Sequence, residues 1–422
     1  MSTQLSTDIL ESIVDTLAPD DPNLRATKAC SLVCHDFLAI CRKRIFARII
    51  LNNPSVDPPP SLRIDWVQHG TTASFKRLLS FSPDLAQHVR ELAVNLTAQD
   101  LKDTALVDIF KKINQLQALT LRCSRSSQSF LERIQFDWDN NPLRPGLLHL
   151  LHLPTIVSFN LLAIENFLVS DLIPCANLKQ IRFSDLSISS AFPSESKPII
   201  GSPIQPLSLF GGTKSASIFT EMYAMRCADG SPFFDFSGLT TLAYPMAESQ
   251  DLEGLRHILS RCENLVNLST RTDSRSFEPI FTNLSKMLTP SIHTLKRIDL
   301  LITFDDSKSP QKGQEDPFRG FIDALEGIEN YNIIETLSIG VIILIDSTHG
   351  PLENWGRLDK LLTRPTWSKL RAVSLTVKTH HWFWDPSNPM DKTIQAFGET
   401  QFSGLSSHKS IVFNFRLVAQ PL

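Results

Sequence analysis

One six-residue pattern, apolar-x-x-apolar-x-apolar, constrains this 422-residue chain more than anything else in it. It returns as VRELAV at 89, LQALTL at 116, IVSFNL at 156, LKQIRF at 178, LTTLAY at 239, LVNLST at 265, LKRIDL at 295, IETLSI at 334 and LRAVSL at 370. Single matches arise by chance, but most of these follow a helical stretch such as TALVDIFKKINQL, DLEGLRHILSRCENL or GRLDKLLTRPTWSKL. Strand side chains alternate between two faces, so the fourth and sixth residues of each hexad turn inward and the fifth outward. The first apolar residue closes the turn ahead of the strand. Helix and short strand alternate at intervals mostly of 22 to 40 residues, which predicts an α/β body of repeated units over residues 71–422.

Ahead of that body the texture differs. Ile9, Leu10, Ile13, Val14 and Leu17 fall on one face of a helix, with Thr7 as its N-cap. Pro19 and Pro22 end it and open the next, Asp21 capping and Pro22 taking the first helical position. Ala29, Leu32, Val33, Phe37, Ile40 and Cys41 keep helical spacing over one helix or two. After Leu51, the run NNPSVDPPPS cannot continue a helix and reads as a stiff linker. The expected organisation is therefore an all-helical domain over 1–51, a proline-rich linker over 52–70 and the repetitive body from 71 onward. Two loops interrupt the body, near 187–235 around one degenerate repeat (IQPLSL at 204) and near 304–320, where the sequence is polar and aperiodic.

A net charge of −3 and a pI near 6.4 give no global basic field, so neither nucleic acid nor an anionic membrane is an expected partner. No basic segment precedes an apolar run at the start, and no window approaches the roughly 18 apolar residues a membrane helix needs. Seven cysteines, an odd number thinly spread, fit a reducing compartment. The expected location is intracellular, cytoplasmic or nuclear.

Chemistry is sparse. There is no nucleophile elbow, phosphate loop, zinc-protease helix or dinucleotide-binding turn, and no catalytic residue, metal or cofactor is expected. Cys30, Cys34 and Cys41 lie on one helical face, but eleven residues of helix span about 16 Å, too far for one zinc ion. They read as core or interface thiols. His149 and His152 stand three apart with no third ligand near them. Arg42, Lys43 and Arg44 form a basic knot, either a solvated face or an acidic contact or nuclear address. The cluster KTHHWFWDPSNP holds His380, His381, Trp382 and Trp384, and reads either as a cap on the last repeat or as an aromatic anchor for a bound protein. Outward strand positions include Arg122, Arg182, Arg271, Arg297, Asp299 and Lys378, a mixed and mildly basic face.

The two halves of the head, LSTDILESIVDTL and ACSLVCHDFLAICRKRIFARIIL, resemble an F-box, the short helical module that docks on the Skp-family adaptor of cullin–RING ubiquitin ligases. The modules opening with CANLKQIRF at 175 and CENLVNLST at 262 resemble cysteine-containing leucine-rich repeats, and the whole is similar to the large fungal group of F-box proteins. The resemblance implies an N-terminal all-helical F-box followed by an irregular leucine-rich-repeat solenoid. It also implies adaptor contacts at Leu5, Ile9, Leu10, Ile13, Leu32, Val33, Cys34 and Phe37. Ser6 stands where the family has proline, and Phe37 where it has tryptophan. The repeats would then hold a client protein, with Arg182, Arg271, Arg297, His380, His381, Trp382 and Trp384 as candidate contacts. A scaffold of the same fold that joins no ligase is the alternative.

Overall fold

The computed structural model describes residues 6–17, 24–52, 68–123, 137–184, 186, 203–212, 215–246, 249–272, 284–305, 319–345, 355–381, 395, 396, 398 and 400–421. The chain divides into two compact units, Met1–Ile204 and Gln205–Leu422.

The first unit begins with three helices, α1 (Thr7–Leu17), α2 (Arg25–Cys30) and α3 (His35–Ile45). Leu10 and Val14 of α1 meet Ile40, Cys41 and Ile45 of α3 in a small core, with Cys30, Phe37 and Phe46 packed against it. The chain then enters strand β1 (Arg48–Leu51). The strands β2 (Gln68–Gly70), β3 (Glu91–Leu96), β4 (Ala118–Cys123), β5 (Ser158–Leu162) and β6 (Gln180–Ser184) complete a sheet in the order β2-β1-β3-β4-β5-β6, with every pair parallel. Parallel neighbours need a crossover between them. Here α4 (Thr72–Phe81), α5 (Ala105–Phe110) and α6 (Arg144–Leu151) supply three of them, and the short 3-10 turn Val169–Leu172 serves between β5 and β6.

The second unit repeats the plan with seven strands: β7 (Ser208–Gly211), β8 (Thr241–Met246), β9 (Asn267–Thr272), β10 (Arg297–Asp305), β11 (Thr336–Ile345), β12 (Ala372–His381) and β13 (Val412–Pro421). Each is parallel to the next in sequence order. The helices α7 (Ala216–Ala224), α8 (Ser249–Leu259), α9 (Leu284–Leu288), α10 (Arg319–Ile328), α11 (Trp355–Leu362) and α12 (Ser403–Ser407) lie between them in the chain.

A single hydrogen-bond device sets the strands in phase. The carbonyl just before one strand accepts two successive amides at the start of the next. The Arg90 carbonyl takes Gln117 N–H and Ala118 N–H at 2.7 and 3.0 Å, and the Gln117 carbonyl takes Val157 and Ser158 at 2.8 and 3.0 Å. The same step recurs in the second unit at Leu207, Thr240, Val266, Lys296 and Glu335. With starts aligned, the inward residues stack in rows: Leu119 beside Phe159 beside Ile181, and Ile298 beside Leu337 beside Val373, all buried. The first apolar residue of the hexad, such as Leu116, Ile156, Leu265 or Leu295, is buried just ahead of its strand.

The expectation of an all-helical F-box followed by a leucine-rich-repeat solenoid needs correction, although the α/β class stands. α3 runs through Phe46 and Ala47 into β1, which is hydrogen-bonded to strands on both sides, so a boundary at residue 51 would cut a sheet. Ile49 and Leu51 are buried as alternating strand residues, but the unbroken apolar run Ile49-Ile50-Leu51 is too short for its period to be read from sequence. The connecting units do not repeat either. Strands range from three residues in β2 to ten in β11, and helices from five in α9 to eleven in α8. The hexad reports the strand step and is silent on what returns the chain.

Other departures are local. Within the stretch read as a loop near 187–235 lie β7 and α7, and Phe233 and Phe234 are buried at its end. Residues 53–67, most of the expected linker, and 306–318, most of the second expected loop, fall outside the described residues, as do Asp21 and Pro22. Past residue 378 the second unit continues through α12 to β13, where Phe413 and Phe415 meet Phe402 at ring separations of 5.3 and 6.4 Å. Among the described residues no helix is long and apolar enough to cross a membrane.

Candidate docking surface

The three-helix head presents the most unusual surface of the first unit. α1 starts where the Ser6 hydroxyl accepts Ile9 N–H at 3.4 Å, with the Ser6 carbonyl receiving both Ile9 and Leu10 amides. The cap is thus Ser6, one residue before the expected Thr7. Serine is among the best N-cap residues, because its hydroxyl can accept an otherwise unpaired amide of the first turn. α1 turns Leu10 and Val14 inward and leaves Ile9 and Ile13 48% and 39% exposed.

Between α2 and α3 the chain makes a tight turn. Leu32 N–H bonds to the Ala29 carbonyl at 3.1 Å and Val33 N–H to the Cys30 carbonyl at 3.0 Å. Cys34 then takes an extended backbone (φ −159°) as the cap of α3. This geometry holds Leu32 and Val33 outward, 87% and 69% exposed. Covering either would contribute roughly 1.5–3 kcal/mol of apolar burial. Cys34 is exposed beside them, and Phe37 is half-buried against the head core. Leu5 lies outside the described residues.

The basic knot is used within the chain. Lys43 pairs with Glu11 at 3.0 Å and Arg44 with Asp15, clamping α3 to α1. Arg42 reaches Asp84, 3.7 Å away, on the turn that follows α4. An open groove of about 730 Å³ lies beside this clamp, lined by Lys43, Arg44, His88 and Arg90 among others. Burial, and then the neighbouring Arg90 guanidinium, hold His88 below the usual imidazole range.

The other candidates separate. Cys41 is buried in the head core, Cys30 packs against it, and Cys34 faces outward, so the three thiols do not converge. His149 Nε2 lies 3.1 Å from the Ile113 carbonyl and His152 Nε2 2.9 Å from the Asp171 carbonyl, each satisfied by backbone. Burial pushes the Cys123 thiol up to about 11, and Cys175 and Cys262 up to about 12, which leaves them protonated and unreactive as nucleophiles.

No protein-family model matches the chain, and no curated protein matches it in sequence.

On the strands, Arg182 lies outward on β6 beside Asn160, in the first unit. Arg271 and Arg297 are exposed on β9 and β10, in the second. His380 and His381 have backbone in β12, paired with Leu344 and Ile345. Trp382 and Trp384 lie outside the described residues. Sequence reasoning missed Asn414 and Arg416, exposed on β13. The alternation in IVFNFRL at 411–417 carries the signal for that strand, since Ile411, Phe413, Phe415 and Leu417 share one parity.

Proposed function

We propose that this chain is a non-enzymatic adaptor. Its N-terminal helices dock on a Skp-family subunit, and through it on a cullin, while the sheet-bearing body holds a client protein for ubiquitin transfer by a separate enzyme. The observation that carries this reading is the outward Leu32–Val33 pair at the α2–α3 turn. Two adjacent, highly exposed aliphatics on a rigid turn suit a protein interface. They occupy positions that meet the adaptor in the F-box sequences residues 5–51 resemble. Phe37 adds an aromatic edge without an indole N–H. On this reading the chain works in the cytoplasm or nucleus and contributes by positioning, raising the local concentration of client near the transferring enzyme.

Co-purification of the full chain with a Skp-family subunit tests the reading. A Leu32→Asp/Val33→Asp variant is expected to abolish capture while keeping the parent's melting temperature. Capture undiminished by that change, or no capture by the parent chain, overturns it. Clients recovered without any cullin would identify an unattached scaffold instead.

A further inference from the structure

Across the helix-bearing surfaces, basic side chains meet carboxylates on neighbouring elements: Arg144 with Asp171, Arg357 with Asp323 and Glu326, Arg364 with Glu329. The outward sheet face of the second unit breaks that habit. Alternate residues of β9, β10, β12 and β13 bring Arg271, Arg297, Lys378 and Arg416 to this face, against Asp299 as the one carboxylate described there. Arg297, Lys378 and Arg416 have no ion-pair partner among the described residues, in a chain whose net charge is −3.

The register fixes where these charges stand. Leu301, Gly340, Thr376 and Arg416 are direct neighbours across four strands, and Ile342, Lys378 and Val418 form the next row. Lys378 and Arg416 are therefore on adjacent strands and one row apart, under about 10 Å between backbones. Beside them the floor is low. Gly340 has no side chain, and a Cβ built on it would come within 2.7 Å of Leu301 Cδ1, so Leu301 reaches across the space a larger residue would need. Ser338, Ser374 and Asn414 line the row on the other side and supply hydroxyl and amide donors.

We propose that this face binds an extended, carboxylate-rich polypeptide segment of the client, with Lys378 and Arg416 as its principal charge contacts. The inference rests on the reading of the body as client-holding and names the chemistry of that client. Charge complementarity selects the occupant: unneutralised cations over a low floor of small hydroxyl residues favour chain-like anions. Nucleic acid fits less well, because Asp299 on the same face would stand against the phosphates.

Fluorescence anisotropy of a fluorescein-labelled peptide of alternating Glu and Gly, titrated with the full chain, tests this. The Glu peptide is expected to bind, its Gln counterpart to fail, and added salt to weaken binding, as screening requires. A Lys378→Glu/Arg416→Glu variant is expected to bind roughly tenfold more weakly or worse. Arg416→Gln provides a milder variant should the double change lower the melting temperature. Equal binding of Gln and Glu peptides, or unchanged binding by both variants, overturns the proposal, and so does tighter binding of a single-stranded oligonucleotide of similar length. The Leu32→Asp/Val33→Asp variant is expected to keep peptide binding. A parent chain that binds the peptide but captures no Skp-family subunit therefore refutes the adaptor reading alone, and one that captures the subunit but binds no peptide refutes this one alone.

Discussion

The carboxylate of Asp359, on α11, accepts the Leu405 backbone amide at 2.7 Å, and its second oxygen accepts Gly404 N–H at 3.0 Å. A buried side chain thus holds the start of α12, the helix that leads into β13 and its exposed Arg416. Hydrogen bonds to a charged group are stronger than neutral ones, and amides stranded in a buried site add a desolvation penalty. Asp359→Ala is therefore expected to destabilise the protein by about 2–3 kcal/mol. Hydrogen exchange is expected to quicken first in residues 403–418, and unchanged protection there would contradict this role.

In the head, stability and the proposed docking can be tested apart. Leu32 and Val33 are so exposed that Leu32→Asp/Val33→Asp is expected to change stability by less than about 0.5 kcal/mol while abolishing Skp-subunit capture. Ile40, buried beside Cys41, behaves in the opposite way, and Ile40→Ala is expected to lower stability by about 2–5 kcal/mol. Urea denaturation beside the capture experiment distinguishes the two. A large stability loss from the first variant would mean that the turn is packed rather than free.

These contrasts show where the sequence was legible. The hexads reported their strands because period-two burial of Leu, Ile and Phe is a local signal, and Leu119/Leu121 or Leu337/Ile339 read the same in sequence and structure. Residues 48–51 did not, because Ile49-Ile50-Leu51 is an unbroken apolar run too short to show a period, and only pairing with β3 identifies it as strand. α7 was hidden by the Pro, Ser and Gly around it, although its Ile218, Phe219 and Met222 are buried. The docking candidates were legible as residue types, but the outward pose of Leu32 and Val33 depends on the break between α2 and α3. Helical periodicity alone would have turned them toward the core. The basic knot was legible as charge, and its partners Glu11, Asp15 and Asp84 are set by tertiary packing.

Glu221 gives a pH signature. Burial pushes its carboxyl up to about 7, and its Oε2 has no hydrogen-bond partner among the described residues. In the unfolded chain the same group ionises near 4.3. Between those values the folded protein binds more protons than the unfolded one, so this group's contribution to stability falls as pH rises through that window and levels off above it. Glu221→Gln removes the dependence. The variant is expected to be more stable than the parent at pH 8 and close to it at pH 5, read from urea midpoints. Equal midpoint differences at both pH values would show that the carboxyl titrates normally.

Gly146 tests the packing of α5 against α6 with a change whose sign is set by two opposing effects. Glycine inside a helix is intrinsically unfavourable, and replacing it by alanine ordinarily stabilises by about 1 kcal/mol. At this position a Cβ would lie 2.9 Å from the Val107 Cα and 3.3 Å from Phe110 Cδ2. The nearer atom is backbone of a neighbouring helix whose Leu106, Ile109 and Phe110 are buried, so it cannot swing aside as the tip of a long side chain can. Overpacking of this kind typically costs about 1–3 kcal/mol, which exceeds the propensity gain. Gly146→Ala is therefore expected to lower the urea midpoint despite making the isolated helix more stable, and Gly146→Val to lower it further. A raised midpoint for the alanine variant would mean that α5 and α6 can separate freely, and that the first unit's core is looser than its buried Leu147, Leu150 and Leu151 require.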